Sequence, residues 1–412
     1  MSAAEPSGLE VPPVEPLADE ELPRCSIVVL NWNGKHHLDG CFGSLDALDY
    51  PKDRFEVILV DNGSDDGSQD HLRAHHPWVR LIQNERNLGF SAGCNTGVRN
   101  ADRPDQVVFL NNDLRVEPGF LRDLVAPVAR GTCVATTGRM LHWDGKSIDS
   151  VGGGANFHGM GIQRGYQAPD GPEWDVPRKT LFACGGAMAM SAAIFDEVGG
   201  FDEDFFAYYE DVDLGWRLWV LGHEVHYEPR AECWHHHSST SRTFPMETIR
   251  LLQVRNPFLA CFKNYDDAHL RKVLPAQLAL AVRRTYQVAG IEDERSFRIE
   301  EVRAGGAGVV GRMWGKARRA MDEEVGLRRE AAADLIGIND LLGNWDHWMA
   351  RRKEVQDRRR RYDEEIFQLF HRPLWCIEED PAYRSLHEGA VSFFGLDEVF
   401  HGLTAQGGDP NK

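Results

Sequence analysis

Four short runs of mainly β-branched and aliphatic residues, Cys25 to Leu30, Phe55 to Val60, Val79 to Ile82 and Val107 to Leu110, recur along the first quarter of the chain, separated by turns and polar-apolar helical stretches. Strands apolar at consecutive positions are buried on both faces, and strands alternating with helices mark βαβ units. The pattern predicts an α/β fold: a mostly parallel sheet with flanking helices. Ligands of such sheets bind outside the carboxyl ends of the strands, so the residues just after each run matter most. Here they are polar: Asn31-Trp32-Asn33-Gly34, Asp61-Asn62-Gly63-Ser64, Asn84 leading to Asn87-Leu88-Gly89-Phe90, and Asn111-Asn112-Asp113. Four strand ends converge on a crevice lined by carboxylates and amides.

Residues 1–23, rich in Pro, Glu and Ala without apolar periodicity, predict a disordered leader. A further strand is expected at Cys133 to Leu141, and the Gly-, Asp- and Pro-rich residues 142–180 predict a long loop or flap. Helical patterns follow at Ser191 to Val198 and Glu210 to Leu221. In the second, Val212, Leu214, Trp216, Leu218, Trp219 and Leu221 leave almost no polar face, so it must be buried. From about Thr248 the chain turns to long, Arg-rich helical patterns. The division expected is a catalytic domain over 24–262, a C-terminal helical region over 263–403 with a hinge at Gly305 to Gly311, and a flexible tail over 404–412.

Charge and cysteine usage narrow the function classes. With 46 Lys and Arg against 64 Asp and Glu, the chain carries a net charge of -18 and should repel nucleic acid. Its eight cysteines form no C-x-x-C pair, which suggests neither a zinc knuckle nor a disulfide framework and suits a reducing cytoplasm. No basic start precedes an apolar run, so no secretory signal is expected. The longest apolar stretch, Val273 to Val282, is about half of the ~20 residues that span a bilayer. Its flanking Arg271, Lys272, Arg283 and Arg284 would suit peripheral contact with anionic lipid at the inner membrane face. Pro275 and the small alanines favour an ordinary core-facing helix instead.

Several constellations point to chemistry. Asp61 and Asn62 stand at a strand tip, where Asp61 could accept from a base imide while Ser64, Asp65 and Gly67 serve the turn and the helix start. Asp113 follows an apolar strand. One hard carboxylate there suits Mg²⁺ or Mn²⁺ bridged to a diphosphate, whereas the bland alternative is an Asx turn. Glu210-Asp211-x-Asp213 opens the buried helix behind Phe205, Phe206, Tyr208 and Tyr209, at the positive end of its dipole. Asp213 is expected to pair with Arg217 one turn on, leaving Asp211 as general base beside Glu210. His235, His236 and His237 offer an imidazole to a divalent ion. Gly185 and Gly186 bare the backbone to a sugar or acceptor.

Taken in order, Ser26 to Asn33, Asp61 to Ser64, Asn87-x-Gly89-Phe90-x-x-Gly93-x-Asn95, Asn112-Asp113, Gly185 to Ala187 and Glu210-Asp211-x-Asp213-x-x-x-Arg217 resemble the family 2 glycosyltransferases of GT-A fold, particularly the rhamnosyltransferase-like branch. The resemblance covers roughly residues 24–262. It implies a nucleotide-diphosphate sugar (dTDP-, UDP- or GDP-linked) held by Asn31, Asn33, Asp61, Asn62, Asn87, Gly89, Asn95 and Asn112. It places Mg²⁺ or Mn²⁺ on Asp113 and on His236, with His235 and His237 as register alternatives, and acceptor contacts at Gly185 and Gly186. Asn111 stands where the family's metal motif has its first Asp, leaving a single carboxylate. The reaction implied is an inverting transfer of rhamnose or a similar hexose to a hydroxyl on a glycan or lipid-linked glycan in cell-wall polysaccharide synthesis, with Asp211 as base.

Two other classes compete. A sugar nucleotidyltransferase should carry a Gly-rich basic loop after its first strand, where this chain has Asn31 to Lys35. A non-catalytic nucleotide-sugar binding protein would not need Glu210 and Asp211. The C-terminal helices are open to acceptor binding, membrane contact or homodimer formation.

Overall fold

The computed structural model describes residues 8–236, 245–289, 329–401 and 403. Its first half alternates strands and helices: β1 (Cys25–Asn31), α1 (Leu38–Asp46), β2 (Phe55–Asp61), α2 (Ser68–His75), β3 (Arg80–Gln83), α3 (Gly89–Arg99) and β4 (Gln106–Asn111). β5 (Leu114–Val116) and α4 (Phe120–Ala129) lead to β6 (Ala135–His142). The short strands β7 (Ile148–Ser150), β8 (Gly153–Ala155), β9 (Gly161–Gln163) and β10 (Arg178–Lys179) precede β11 (Ala187–Ser191), α5 (Ala192–Glu197), α6 (Glu210–Val220) and β12 (Val225–His235).

The sheet runs β10-β12-β6-β11-β4-β1-β2-β3. β1 pairs in parallel with both β2 and β4, and β12 pairs in parallel with β6, but β11 is antiparallel to β4 and β6. The expected α/β architecture is present, as a mixed, mostly parallel sheet. Successive strands lie on opposite sides of β1, so its carboxyl end is a topological switch point, where a crevice opens. Val28 and Val29 are both fully buried and face separate apolar clusters on the two sides of the sheet.

The C-terminal helices are α7 (Met246–Asn264), α8 (Asp267–Ala289), α9 (Arg329–Gly343) and α10 (Trp345–Gln356), followed by α11 (Asp363–Ile366), α12 (Pro381–Phe393) and α13 (Leu396–Val399). They share one core with the sheet: Phe258, Trp348 and Tyr383 belong to the same buried cluster as Val28 and Phe109. The basic run after Arg351 docks these helices. The Arg352 guanidinium donates to the Phe262 and Tyr265 carbonyls, and Arg359 reaches the Asn264 carbonyl, satisfying acceptors that a helix end leaves open. Val273, Ala276 and Leu280 of α8 are buried. Among the described residues no helix is long and apolar enough to cross a membrane.

Two sequence expectations are corrected here. From Gly8 onward the N-terminal segment is packed: Leu9, Leu17 and Leu22 are buried, and the Leu9 carbonyl accepts from the Lys179 amide at 2.7 Å. Widely spaced leucines lack periodicity yet each is buried, Leu9 in one apolar cluster and Leu17 and Leu22 in the other. Residues 142–180 are an arm of short strands, with Ile148, Val151, Phe157 and Asp149 buried. The hinge at Gly305 to Gly311, the tail at 404–412 and His237 lie outside the described residues.

Candidate active site

At the switch point a cavity of about 550 Å³ opens. One wall is built from strand tips. The Asn31 amide donates to Asp61 Oδ2 at 3.0 Å and its Oδ1 accepts from Asn112 Nδ2 at 2.7 Å, tying the ends of β1, β2 and β4 together. Asp61 is fully buried; its Oδ1 also accepts from the Ser64 amide at 2.9 Å and Gln69 Nε2 at 2.7 Å. Asn62 donates to Asn87 Oδ1 and to the Gly89 carbonyl and accepts from Asn84 Nδ2. Gly89 starts α3 at φ +84°, and a Cβ there would lie 2.4 Å from the Phe206 carbonyl oxygen, so glycine is required for this close approach.

Asp113, just beyond β4, meets the end of β12. Its Oδ1 lies 3.2 Å from His235 Nε2, while His235 Nδ1 lies 2.7 Å from Asp149 Oδ2 on β7. Burial would lower the imidazole's pKa, but hydrogen bonds to Asp113 and Asp149 outweigh it and hold it up at about 9. The imidazolium form is thus favoured here, and an ion bound at Nε2 would displace its proton. Adjacent ligands of an octahedral ion at about 2.1 Å stand about 3 Å apart, so Asp113 Oδ1 and His235 Nε2 fit two neighbouring positions. Asp149 then orients the ring from its far nitrogen, the usual partner of a metal-bound imidazole.

The third wall is the loop entering α6. Phe206, Tyr208 and Tyr209 have φ of +62°, +67° and +66°, a conformation that costs bulky residues about 1–3 kcal/mol each and persists only where surroundings impose it. The clamp is Asn256 of α7, fully buried, whose amide donates to the Phe205, Ala207 and Tyr208 carbonyls at 2.8–2.9 Å. Past this loop, Asp211 Oδ2 accepts from the Gly185 amide at 3.0 Å and Oδ1 from the Val212 amide. Burial raises the Asp211 pKa against those bonds. Glu210 is raised well above the ordinary carboxyl range, first by burial and then by Asp211, and its Oε2 is buried without a hydrogen-bond partner. Asp213 is taken up elsewhere, by Arg217 Nε at 3.0 Å, Lys263 Nζ at 2.9 Å and Asn264 Nδ2 at 3.0 Å.

Asn62, Asn87, Gly89, Asn112 and Asp113 line the cavity, as do Gly185, Gly186, Glu210 and Asp211. Asn31 and Asp61 instead form the network behind its wall. Two more expected cofactor contacts, Asn33 and Asn95, are also absent from the cavity lining. Asn33 Oδ1 accepts from the Asp65 amide, bracing one loop against another, and Asn95 binds the Phe201 backbone and Glu203, anchoring the loop before the acid helix. Of the two described histidines, His235 faces Asp113, whereas His236 is exposed and stacks on Trp143 at 3.8 Å, because β12 continues to His235 and alternation along the strand turns its neighbour away.

Asp149, Asn256 and the cavity-lining Trp32 were not singled out by sequence reasoning. Asp149 lies within the Gly-rich stretch read as a loop, and Asn256 in an ordinary helical pattern; neither carries a local signal. Trp32 did have one, as a large aromatic between two asparagines at a strand tip.

Residues 26–199 match the family described as Glycosyl transferase family 2. The chain is 30% identical over 243 residues to the N-acetylglucosaminyl-diphospho-decaprenol L-rhamnosyltransferase of Mycobacterium tuberculosis, covering 52% of this chain and 77% of that one. It is 26% identical over 239 residues to the validoxylamine A glucosyltransferase of Streptomyces hygroscopicus subsp. limoneus, covering 53% and 52%. A crystal structure of GalNAc-T7 with UDP, GalNAc and Mn²⁺ aligns with a TM-score of 0.49 at 17% identity, over 63% of this chain and 52% of that one.

Proposed function

Since the chain belongs to glycosyl transferase family 2, we propose that it moves rhamnose or a similar hexose from a nucleotide-diphosphate donor to a hydroxyl of a glycan or lipid-linked glycan, with inversion at the anomeric carbon. The observation that carries this reading is the acid pair facing the 550 Å³ cavity, with Asp211 held by the Gly185 and Val212 amides and Glu210 Oε2 left without a hydrogen-bond partner.

In this reading the nucleotide lies against Asn62, Asn87 and Asn112, with Trp32 offering an aromatic face. Asp211 accepts the acceptor's proton as its oxygen bonds to the anomeric carbon. The bond from that carbon to the diphosphate breaks, and its electron pair leaves with the diphosphate. Glu210, kept protonated by burial, adds no second negative charge beside the base. Asp113 and His235 would hold Mg²⁺ or Mn²⁺, which supplies charge neutralisation to the diphosphate when bound.

The test is thermal shift and donor hydrolysis across dTDP-, UDP- and GDP-sugars with Mn²⁺, Mg²⁺ or EDTA. One nucleotide sugar should stabilise the protein in a metal-dependent way, by about 2.7 kcal/mol at a hundredfold excess over Kd. Stabilisation by none of them would sink the donor reading.

A further inference from the structure

A second cavity of about 270 Å³ lies among α7, α8 and α9, and it shares Tyr209 and Gln253 with the catalytic cavity. Tyr209 directly precedes the acid pair and lines both cavities. A molecule in the second cavity therefore touches the residue that leads into the acid pair.

The lining chemistry identifies the class of occupant. Arg250 and Arg284 are matched by Asp334 and Glu378, so the wall carries no net charge. Arg284 Nε donates to Asp334 Oδ1 at 2.8 Å, while Arg250 Nη2, 3.8 Å from Asp334 Oδ2, is buried without a hydrogen-bond partner and offers a donor to an occupant. His158, 8% exposed, adds an imidazole whose Nε2 is buried without a hydrogen-bond partner, and burial keeps this ring neutral. Val254, Phe258 and Ile338 supply apolar faces between these polar groups. Donors and acceptors of zero net charge set among apolar patches match a ring that carries hydroxyls at its rim and C–H groups on its faces. A phosphate or carboxylate would bring its charge to a wall on which Asp334 and Glu378 already balance the two arginines. The volume falls just under the ~300 Å³ lower bound for drug-sized ligands, which suits one sugar unit and not a chain.

We propose that this second cavity is an acceptor subsite that holds one neutral, hydroxylated sugar residue of the acceptor, beside the hydroxyl delivered to Asp211. The inference rests on the glycosyl-transfer reading and specifies its acceptor side: a neutral glycan unit is recognised by the C-terminal helices, not by the strand tips.

The experiment is saturation-transfer NMR on the full chain with glucose, N-acetylglucosamine and rhamnose as separate probes and inorganic phosphate as competitor. Nucleotide-sugar stabilisation is measured alongside by thermal shift. At least one neutral sugar should give transfer that falls about fivefold or more in His158→Phe, which removes the imidazole, and in Ile338→Trp, which fills the space. The nucleotide shift should be unchanged in both variants, which also certifies their folding. Transfer from no sugar, transfer equal in the variants, or displacement by phosphate overturns the subsite. If nucleotide sugars stabilise the wild type in that case, the subsite alone is wrong. If they do not, the donor reading fails with it.

Discussion

The two long walls of the catalytic cavity are built on opposite principles. At the strand tips, Asn31, Asp61, Asn62, Asn87 and Asn112 satisfy one another's hydrogen bonds and lock three strand ends and a helix start in place. At the mouth of α6 the backbone is held in a left-handed run by a helix from the C-terminal half, and a buried carboxyl oxygen is left unmatched. A closed polar network makes a rigid surface for a ligand to rest on. A strained loop with an unmatched acid stores the reactivity, because a carboxyl oxygen without a partner responds to what enters the cavity.

If that contrast is right, removing the base or its support at the acid wall should cost turnover with little loss of donor binding. The largest effect is expected for Asp211→Asn. It should lower kcat for sugar transfer by about 10² to 10⁴-fold while the thermal shift with nucleotide sugar persists. Wild-type turnover in this variant would remove Asp211 as base. Next comes Asn256→Asp, which keeps the shape but loses the donors to three carbonyls. A displaced acid helix should reduce kcat by about 10 to 10²-fold, with the donor KM changed far less, as steady-state kinetics can resolve. An equal rise in donor KM would mean that the clamp shapes both walls and would erase the distinction.

Much of the strand-tip wall is readable in the sequence, since a buried parallel strand followed at once by Asn or Asp has few other uses for such residues. Periodicity likewise identifies α6 and places Glu210 and Asp211 at its start. What the sequence conceals is contact between distant segments. Nothing local distinguishes Asn33 and Asn95, which brace loops, from Asn62 and Asn112, which line the cavity. Which of three adjacent histidines faces Asp113 depends on where β12 stops pairing, and Asp149 reaches His235 only because β7 folds back onto β6. The leader's leucines are legible only once the surface they cover exists.

Between the two walls stands the Asp113–His235–Asp149 line, which belongs to neither, and its partner should show an intermediate effect. Asp149→Asn leaves the two candidate ligands in place and removes only the charge that orients the imidazole. Mn²⁺ binding, followed by calorimetric titration in the presence of a nucleotide diphosphate, should weaken by about 10 to 10²-fold. Unchanged affinity would detach Asp149 from the ion and leave it a role in packing the arm.

The smallest expected effect tests the contrast most directly, because it concerns stability and not turnover. Glu210 is raised by burial and by Asp211, so between the ordinary carboxyl pKa of about 4.3 and its own higher value the folded protein binds more protons than the unfolded chain. Its contribution to stability is therefore fully present below about pH 4 and is lost as pH rises through the folded pKa. Glu210→Gln keeps the size and the neutral form but cannot ionise. The melting temperature of the variant should approach that of the wild type at pH 4 and exceed it by about 2 °C or more at pH 8, while kcat is largely kept because the residue it replaces is already uncharged. A wild type that gains on the variant as pH rises would mean that Glu210 is ionised and stabilised in the folded state. The acid wall would then be as well satisfied as the strand tips, and the contrast between them would fall.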